Sequence, residues 1–335
     1  MRIPVAVWGA RFVRLWLDVV LPVWRLPGNL GAVKPRGGDE LTVWCGAADR
    51  AVIEADAGFA ALAAAWPVVF HVFDEDDGAT AYERVARAHG AAVRRAVRDK
   101  QVHGGAAVWF LTPDAVFSDG TFAMAVEHLR AGRRAVVLPG MRGELEPIAA
   151  ALQAAEQHGT LGEAASHRGL AGLALDHLHP ISRGLLWDAA LGSRWPSHLY
   201  FPVRGEGDEL DGLVVRGFHQ HPLVVWPQSP LSAVTDSVDG AFLETAVVDD
   251  ADIVRLGDSD AGVALELSPP LQAPWAVDVP RDGRAAFVRA WAADAARGRQ
   301  AWLASQSYRL HRGEVAGGAW ARAEAEAARV VDEVF

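Results

Sequence analysis

The chain has 335 residues, a formal net charge of −10 and 51% hydrophobic residues. A chain of this length and apolar content can bury a large core, which excludes a disordered protein and indicates one large domain or two closely joined ones. The acidic balance and scattered arginines argue against a nucleic-acid-binding surface, because phosphate neutralisation needs clustered basic side chains. The single cysteine, Cys45, excludes an internal disulfide and a cysteine-rich metal site, and it is consistent with a reducing compartment.

The N-terminal segment predicts a strand at 3–8 and an amphipathic helix at 11–21, which Pro22 should end. Arg11, Arg14 and Asp18 interrupt the apolar run, so it resembles neither a signal peptide nor a membrane span. We therefore expect a cytoplasmic protein with no transmembrane segment.

Strands and helices alternate through the rest of the first half. Apolar runs predict strands at 41–45, 68–73, 106–111 and 135–138, and helical periodicity predicts helices at 53–65, 81–100 and 122–131. This alternation predicts an α/β fold with a mostly parallel, Rossmann-like sheet and helices on both of its faces.

The second half is less regular. It predicts strands at 212–216, 218–226 and 253–256, and helices again from Arg281 to the end of the chain. We expect three parts: an α/β half at 1–150, an acceptor-side half with the late strands at 151–270, and a helical C-terminal region at 271–335.

The segment after the strand at 106–111 carries the clearest candidate site. Asp114 follows that strand and Asp119 precedes the next helix, and ligands of open α/β sheets bind outside the carboxyl ends of the strands. The alternative for both carboxylates is turn chemistry, in which Asp119 or Ser118 caps the helix. Asp258 and Asp260, in the segment GDSD, can likewise bind a cation or simply form a turn.

The order of elements, with the segment LTPDAVFSDG after the fourth strand, resembles the nucleotide-sugar half of GT-A-type glycosyltransferases over roughly residues 1 to 225. In that family an acidic motif, usually Asp-x-Asp, holds a divalent cation against the donor diphosphate at this place. Asp114 matches its position, but Thr112 and Val116 stand where a paired acid would be. The literal Asp-x-Asp at 74–76 follows the third strand instead.

The resemblance implies further site residues. A histidine from a late strand often completes the family's metal site, which makes His219 and His221 candidate ligands beside Asp114 and Asp119. Acidic or polar residues after the early strands often hold the donor base, which implies roles for Asp49 and Asp74. The alternative for the histidine pair is an exposed polar face.

Other residues are candidates on chemical grounds. Carboxylates suit Mg²⁺ or Mn²⁺, and a metal-free enzyme could use Arg142 to stabilise the leaving group. Glu144 and Glu146 are the nearest candidates for a carboxylate base. His89 on the helix at 81–100 either faces the cleft as a binding residue or packs in the core.

Two other nucleotide sites are excluded, since the glycine spacing after the first strand is not that of a dinucleotide fingerprint and no phosphate loop is present. We predict an enzyme that moves a sugar from a nucleotide-sugar donor to a polysaccharide, glycan or metabolite acceptor. A non-catalytic sugar- or nucleotide-binding protein of the same fold is the alternative, and different group-transfer chemistry in the same crevice is a third possibility.

Overall fold

A computed structural model describes residues 1–74, 77–103, 105–218, 220–228, 238, 240–270, 275–295 and 299–335. They form two compact units. Unit 1 combines Met1–Val137 with His221–Val254, and unit 2 combines Leu138–Gln220 with Arg255–Phe335. The predicted boundaries at 150 and 270 both fall within unit 2, because the chain leaves the first sheet near 137 and returns to it at 222–225.

The elements follow one another closely along the chain. The strands are β1 (Arg2–Ala6), β2 (Glu40–Cys45), β3 (Val68–Val72), β4 (Val108–Trp109), β5 (Ala115–Phe117), β6 (Ala135–Val137), β7 (Gly140–Glu144), β8 (Gly192–Ser193), β9 (His198–Arg204), β10 (Leu210–Gly217), β11 (Pro222–Val225), β12 (Ile253–Arg255), β13 (Ala264–Ser268), β14 (Ala276–Val277) and β15 (Tyr308–His311). The helices are α1 (Ala10–Leu15), α2 (Leu21–Trp24), α3 (Ala47–Glu54), α4 (Ala57–Ala65), α5 (Ala81–His103), α6 (Thr121–Arg130), α7 (Leu145–Gln157), α8 (Leu161–Ala164), α9 (His167–Asp176), α10 (Pro180–Arg183), α11 (Gly240–Ala246), α12 (Arg284–Ala295), α13 (Arg299–Ser305) and α14 (Gly318–Val334). Among these described helices, none combines the length and the apolar character that a membrane crossing requires.

A seven-stranded, mostly parallel sheet organises unit 1, which confirms the predicted α/β class. Its order is β12-β6-β11-β4-β1-β2-β3. β1 pairs in parallel with β2 and β4, and β2 pairs in parallel with β3, whereas β11 runs antiparallel to both of its neighbours. β1 is buried along its whole length, as expected for a central parallel strand covered on both faces.

Two helices of unit 1 differ from the predictions. The first does not stop at Pro22: a π-helical turn at Trp16–Val20 links α1 to α2, and Pro22 lies at the start of α2, where a missing N–H is tolerated. The helix predicted at 53–65 is instead two helices. Asp56 separates them, because its Oδ1 accepts the Phe59 N–H at 2.8 Å and thereby caps α4.

Unit 2 contains an antiparallel sheet in the order β15-β10-β9, a parallel pair of β7 with β13 and an antiparallel pair of β8 with β14. Its apolar core includes Phe201 of β9, Val214 of β10 and Val330 of α14, all fully buried. β15 is a strand inside the region predicted to be helical. Tyr308 and Leu310 are both buried and two residues apart, as expected for side chains on one face of a strand.

Candidate functional site

The carboxyl ends of four parallel strands of unit 1 lie along one edge of the sheet, here called the carboxyl edge. The strands are β3, β2, β1 and β4, and the chain order reverses between β1 and β4. Loops that diverge at such a reversal leave a crevice, which is where open α/β sheets bind ligands. We therefore expect a ligand site at the carboxyl edge.

The loops after β1 and β2 are tied together by Asp49. Its Oδ2 accepts the backbone N–H of Gly9 at 2.8 Å, and Gly9 adopts a φ of 77° that favours glycine. Asp49 lies in the first turn of α3 and is half-buried. This predicted binding residue thus lies at the carboxyl edge, where one of its oxygens holds the loop.

Two aromatic rings and a buried arginine flank this loop. Trp8 follows β1 and Phe73 follows β3, and their ring centroids are 5.8 Å apart at an edge-to-face angle. The Arg84 guanidinium carbon lies 4.6 Å from the Phe73 centroid and 5.8 Å from that of Trp8. Arg84 is 7% exposed, and its Nη2 lies 2.9 Å from Asp77 Oδ1. An aromatic pair beside a guanidinium offers a stacking surface and a positive charge.

Asp77 carries the negative charge of this group. The backbone N–H of Ala79, together with Arg87 and Arg84, holds the pKa of Asp77 below its usual value. Sequence reasoning missed the group as a whole. The available signal was an aromatic residue directly after one strand end, a second near another, and arginines at the start of the helix that follows.

Asp74 is exposed immediately beyond Phe73, at the carboxyl edge as predicted. The remaining members of its Asp-x-Asp segment, Glu75 and Asp76, lie outside the described residues, as does the predicted ligand His219.

Asp114 and His221 lie at the same end of neighbouring strands. Asp114 is half-buried in the turn after β4, where the Ala115 N–H donates to Thr112 O at 3.1 Å. β11 is antiparallel to β4, and Val224 pairs with Trp109, so the exposed His221 just before β11 falls beside the residues that follow β4. The sheet therefore places both predicted ligands at the carboxyl edge.

Asp119 has a structural partner. Its Oδ1 accepts the Gly28 N–H at 2.7 Å, and Gly28 packs so closely on Gly120 that an added Cβ would lie 2.4 Å from the Gly120 nitrogen. Neither Asp119 nor Ser118 is the N-cap of α6, the role that was their alternative to binding a ligand. Gly120 takes that position with a φ of 101°, which a glycine adopts without strain.

His89 is buried, with 6% of its surface exposed. Its ring meets that of Phe110 edge to face at 5.1 Å. Burial, with a smaller contribution from His221, lowers the pKa of His89 to about 3. Of the two alternatives for His89, this geometry favours the core residue.

Arg142 and Glu144 belong to β7 in unit 2, and each has an ion-pair partner. Arg142 Nη2 lies 3.1 Å from Glu266 Oε1, and Glu144 pairs with Arg183. The Arg142 carbonyl accepts the Ser182 hydroxyl at 2.9 Å. Glu146 lies in the first turn of α7 and is exposed. All three side chains reach solvent. Nothing in their contacts tests the predicted catalytic roles, which remain predictions.

One group of candidate metal ligands comes together in unit 2. Within the described part of the chain, Asp258, Asp260 and His311 each offer a ligand atom, and these atoms all lie within 4.8 Å of one another. Arg168 binds Asp260 in a bidentate pair and holds the pKa of that carboxyl below its usual value. The two aspartates belong to the acidic turn noted in the sequence, whereas His311 was missed because β15 was not predicted.

Comparison with known proteins gives no relative from which a function could be transferred: no protein-family model matches the chain, and no curated protein matches it. The functional case therefore depends on the residues described above.

Proposed function

We propose that the protein is a nucleotide-sugar-dependent glycosyltransferase of GT-A-like fold, with its donor site at the carboxyl edge of unit 1. The observation that carries the proposal is the reversal of strand order between β1 and β4. The segments after four parallel strands lie along this edge, and ligands of open α/β sheets bind at such a reversal.

The side chains at the carboxyl edge support a donor site. Trp8 and Phe73 provide aromatic surface near the ends of β1 and β3, and Arg84 provides positive charge beside them. Asp49 and Asp74 follow β2 and β3, where polar groups can bind a base or ribose. This mixture of flat apolar surface with few polar groups is typical of small-molecule sites.

Asp114 is the residue on which we expect transfer to depend. A sugar diphosphate leaves with negative charge, and Mg²⁺ or Mn²⁺ bound by oxygen ligands would offset that charge as the glycosidic bond breaks. Asp114 and His221 are the two described residues that we propose as its ligands. Asp119 is less suited, because the Gly28 N–H already occupies one of its oxygens.

Arg142 and Glu144 belong to unit 2, and the roles predicted for them would each require the side chain to leave its ion-pair partner. For Arg142 to stabilise a leaving phosphate it must exchange Glu266 for that phosphate. For Glu144 to accept a proton from an acceptor hydroxyl it must release Arg183, since that guanidinium binds its carboxylate.

The test is a thermal-shift screen of UDP, GDP, CMP and dTDP and their common sugars, with and without Mn²⁺, followed by a turnover assay of any nucleotide sugar that binds. A ligand at a hundred times its Kd should stabilise the folded state by about 2.7 kcal/mol. Asp114→Asn should abolish turnover and lose the Mn²⁺-dependent part of the shift. Glu54→Gln, on the exposed face of α3, is the matched control and should change neither.

Each outcome separates the candidates. Binding with turnover supports the transferase, and binding of a nucleotide sugar without any turnover supports the non-catalytic binding protein. No shift with any nucleotide overturns the donor site.

A further inference from the structure

The turn at 257–260 is held against β15 by backbone hydrogen bonds. The Ser259 N–H donates to Arg309 O at 2.8 Å, and the Arg309 N–H donates to Gly257 O at 3.0 Å. The His311 N–H then donates to the Ser259 hydroxyl at 3.2 Å, and Ser259 is fully buried. This pairing fixes Asp258 and Asp260 opposite the side chain of His311.

Both ring nitrogens of His311 face oxygen atoms that can only accept. Nδ1 lies 2.6 Å from Gly313 O, and Nε2 lies 2.7 Å from Asp258 Oδ1 and 4.0 Å from Asp260 Oδ2. A neutral imidazole has one N–H, which can satisfy only one side. When Nδ1–H donates to the carbonyl, the lone pair of Nε2 points toward the two carboxylates, and the three side chains together can act as ligands of a cation.

The surroundings of His311 favour a metal ion at that position. His311 is 2% exposed, so its ring is held in a fixed orientation. A metal-binding histidine almost always donates its other N–H to a carbonyl or carboxylate, and Gly313 O provides that acceptor. The carbonyl lies outside the cluster, so it is an observation independent of the two aspartates.

The carboxylates are also oriented from outside. Arg168 contacts both oxygens of Asp260, at 3.2 and 3.3 Å, and its third nitrogen binds Glu314 at 2.9 Å. The Asp260 N–H donates to Asp258 Oδ1 at 2.8 Å and fixes that side chain in turn. Asp258, Asp260 and Glu314 carry three carboxylates, and Arg168, which contacts two of them, offsets only part of their negative charge.

We propose that Asp258, Asp260 and His311 form a binding site for a divalent transition-metal ion, Zn²⁺ or Mn²⁺. One imidazole and two carboxylates are a ligand set that suits these ions, whereas Mg²⁺ and Ca²⁺ prefer oxygen alone. Three protein ligands leave room for water or a further ligand. The site lies within unit 2 and does not depend on the proposed nucleotide-sugar activity.

The experiment is calorimetric titration of the metal-stripped, full-length protein with Zn²⁺ and, separately, with Mn²⁺, in the absence of any nucleotide. We expect one equivalent of at least one of the two ions to bind per chain. Asp258→Asn and His311→Gln should each weaken that binding at least about tenfold, since losing even an outer-shell partner typically costs about 10- to 100-fold in affinity. His158→Gln, at an exposed histidine beyond α7, is the matched control and should bind like the parent.

The use of two variants separates a loss of metal binding from a loss of folding. His311 is buried, so its replacement can disturb β15, whereas the Asp258 side chain is 34% exposed and its replacement by asparagine keeps its shape. Circular dichroism of both metal-free variants checks the fold. Absence of stoichiometric binding by the parent overturns the proposal, and so does parent-like binding by Asp258→Asn. Neither result bears on nucleotide binding at the carboxyl edge.

Discussion

The pH dependence of stability distinguishes between the two roles considered for His89, a core residue and a binding residue. Its pKa is lowered from 6.5 to about 3 in the folded protein, chiefly because it is buried. Between these values the unfolded chain binds a proton that the folded protein does not, so the free energy of unfolding falls as the pH is lowered. The stabilisation is fully present above pH 6.5 and is lost on acidification.

The magnitude follows from linkage. Each pH unit within the window costs about 1.36 kcal/mol, so lowering the pH from 7 to 5 should remove about 2 kcal/mol through His89 alone. Replacing His89 by leucine removes the titrating group. We therefore expect His89→Leu to lose about 2 kcal/mol less than the parent between the two pH values.

The assay is urea unfolding of both proteins at pH 7 and pH 5, because the difference between their losses cancels the other titrating groups. His158→Leu is the control, since that histidine is exposed and its variant should lose as much as the parent. Equal losses in the parent and His89→Leu would refute the reasoning. They would show that His89 titrates in the folded protein as it does in water, as expected of a residue that faces an open cleft.

Two further predictions concern side chains that stabilise each unit. Asp119→Ala should lower the free energy of unfolding by about 1.5–3 kcal/mol, because it leaves the Gly28 N–H without its charged acceptor; urea unfolding checks this, and an unchanged midpoint would contradict it. Glu324→Gln should cost about 3 kcal/mol, because it removes the carboxylate beside Arg216, whose side chain is 8% exposed. The control is Glu333→Gln, which removes the carboxylate of an exposed i,i+4 pair with Arg329 and should lower the free energy of unfolding by less than about 0.5 kcal/mol in the same assay. Equal losses from the two changes would contradict the role given to burial.

Much of the first sheet could be predicted from the sequence. β1, β2 and β3 are short apolar runs bounded by glycine, proline or charged residues, and such runs identify buried strands without knowledge of their neighbours. Two helix boundaries could not be read in this way. A π-helical turn carries the first helix past Pro22, and a single capping carboxylate at Asp56 divides the second.

Long-range pairing explains the remaining differences. β11 lies in the sheet between β4 and β6, and the local sequence of residues 222–225 does not identify the strands with which it pairs. β15 is four residues long and lies between helices, where a two-residue period is hard to distinguish from helical periodicity.

The candidate sites show the same limit. Asp114 could be placed at a strand end from local sequence, because the position needs only the preceding apolar run. The contact of Asp258 with His311 spans 53 residues, and that of Trp8 with Phe73 joins two separate strands. Each depends on a pairing of elements that the sequence alone does not specify.

Hydrogen–deuterium exchange with a bound nucleoside diphosphate tests the donor site most directly. We expect UDP, GDP or dTDP, whichever raises the melting temperature, to protect amides in the segments that directly follow β1, β2 and β4, at about residues 7–10, 46–50 and 110–120. The seven-stranded sheet itself should exchange as before, because its strands are already paired. Protection confined to unit 2, or none with a nucleotide at saturating concentration, would contradict a donor site at the carboxyl edge.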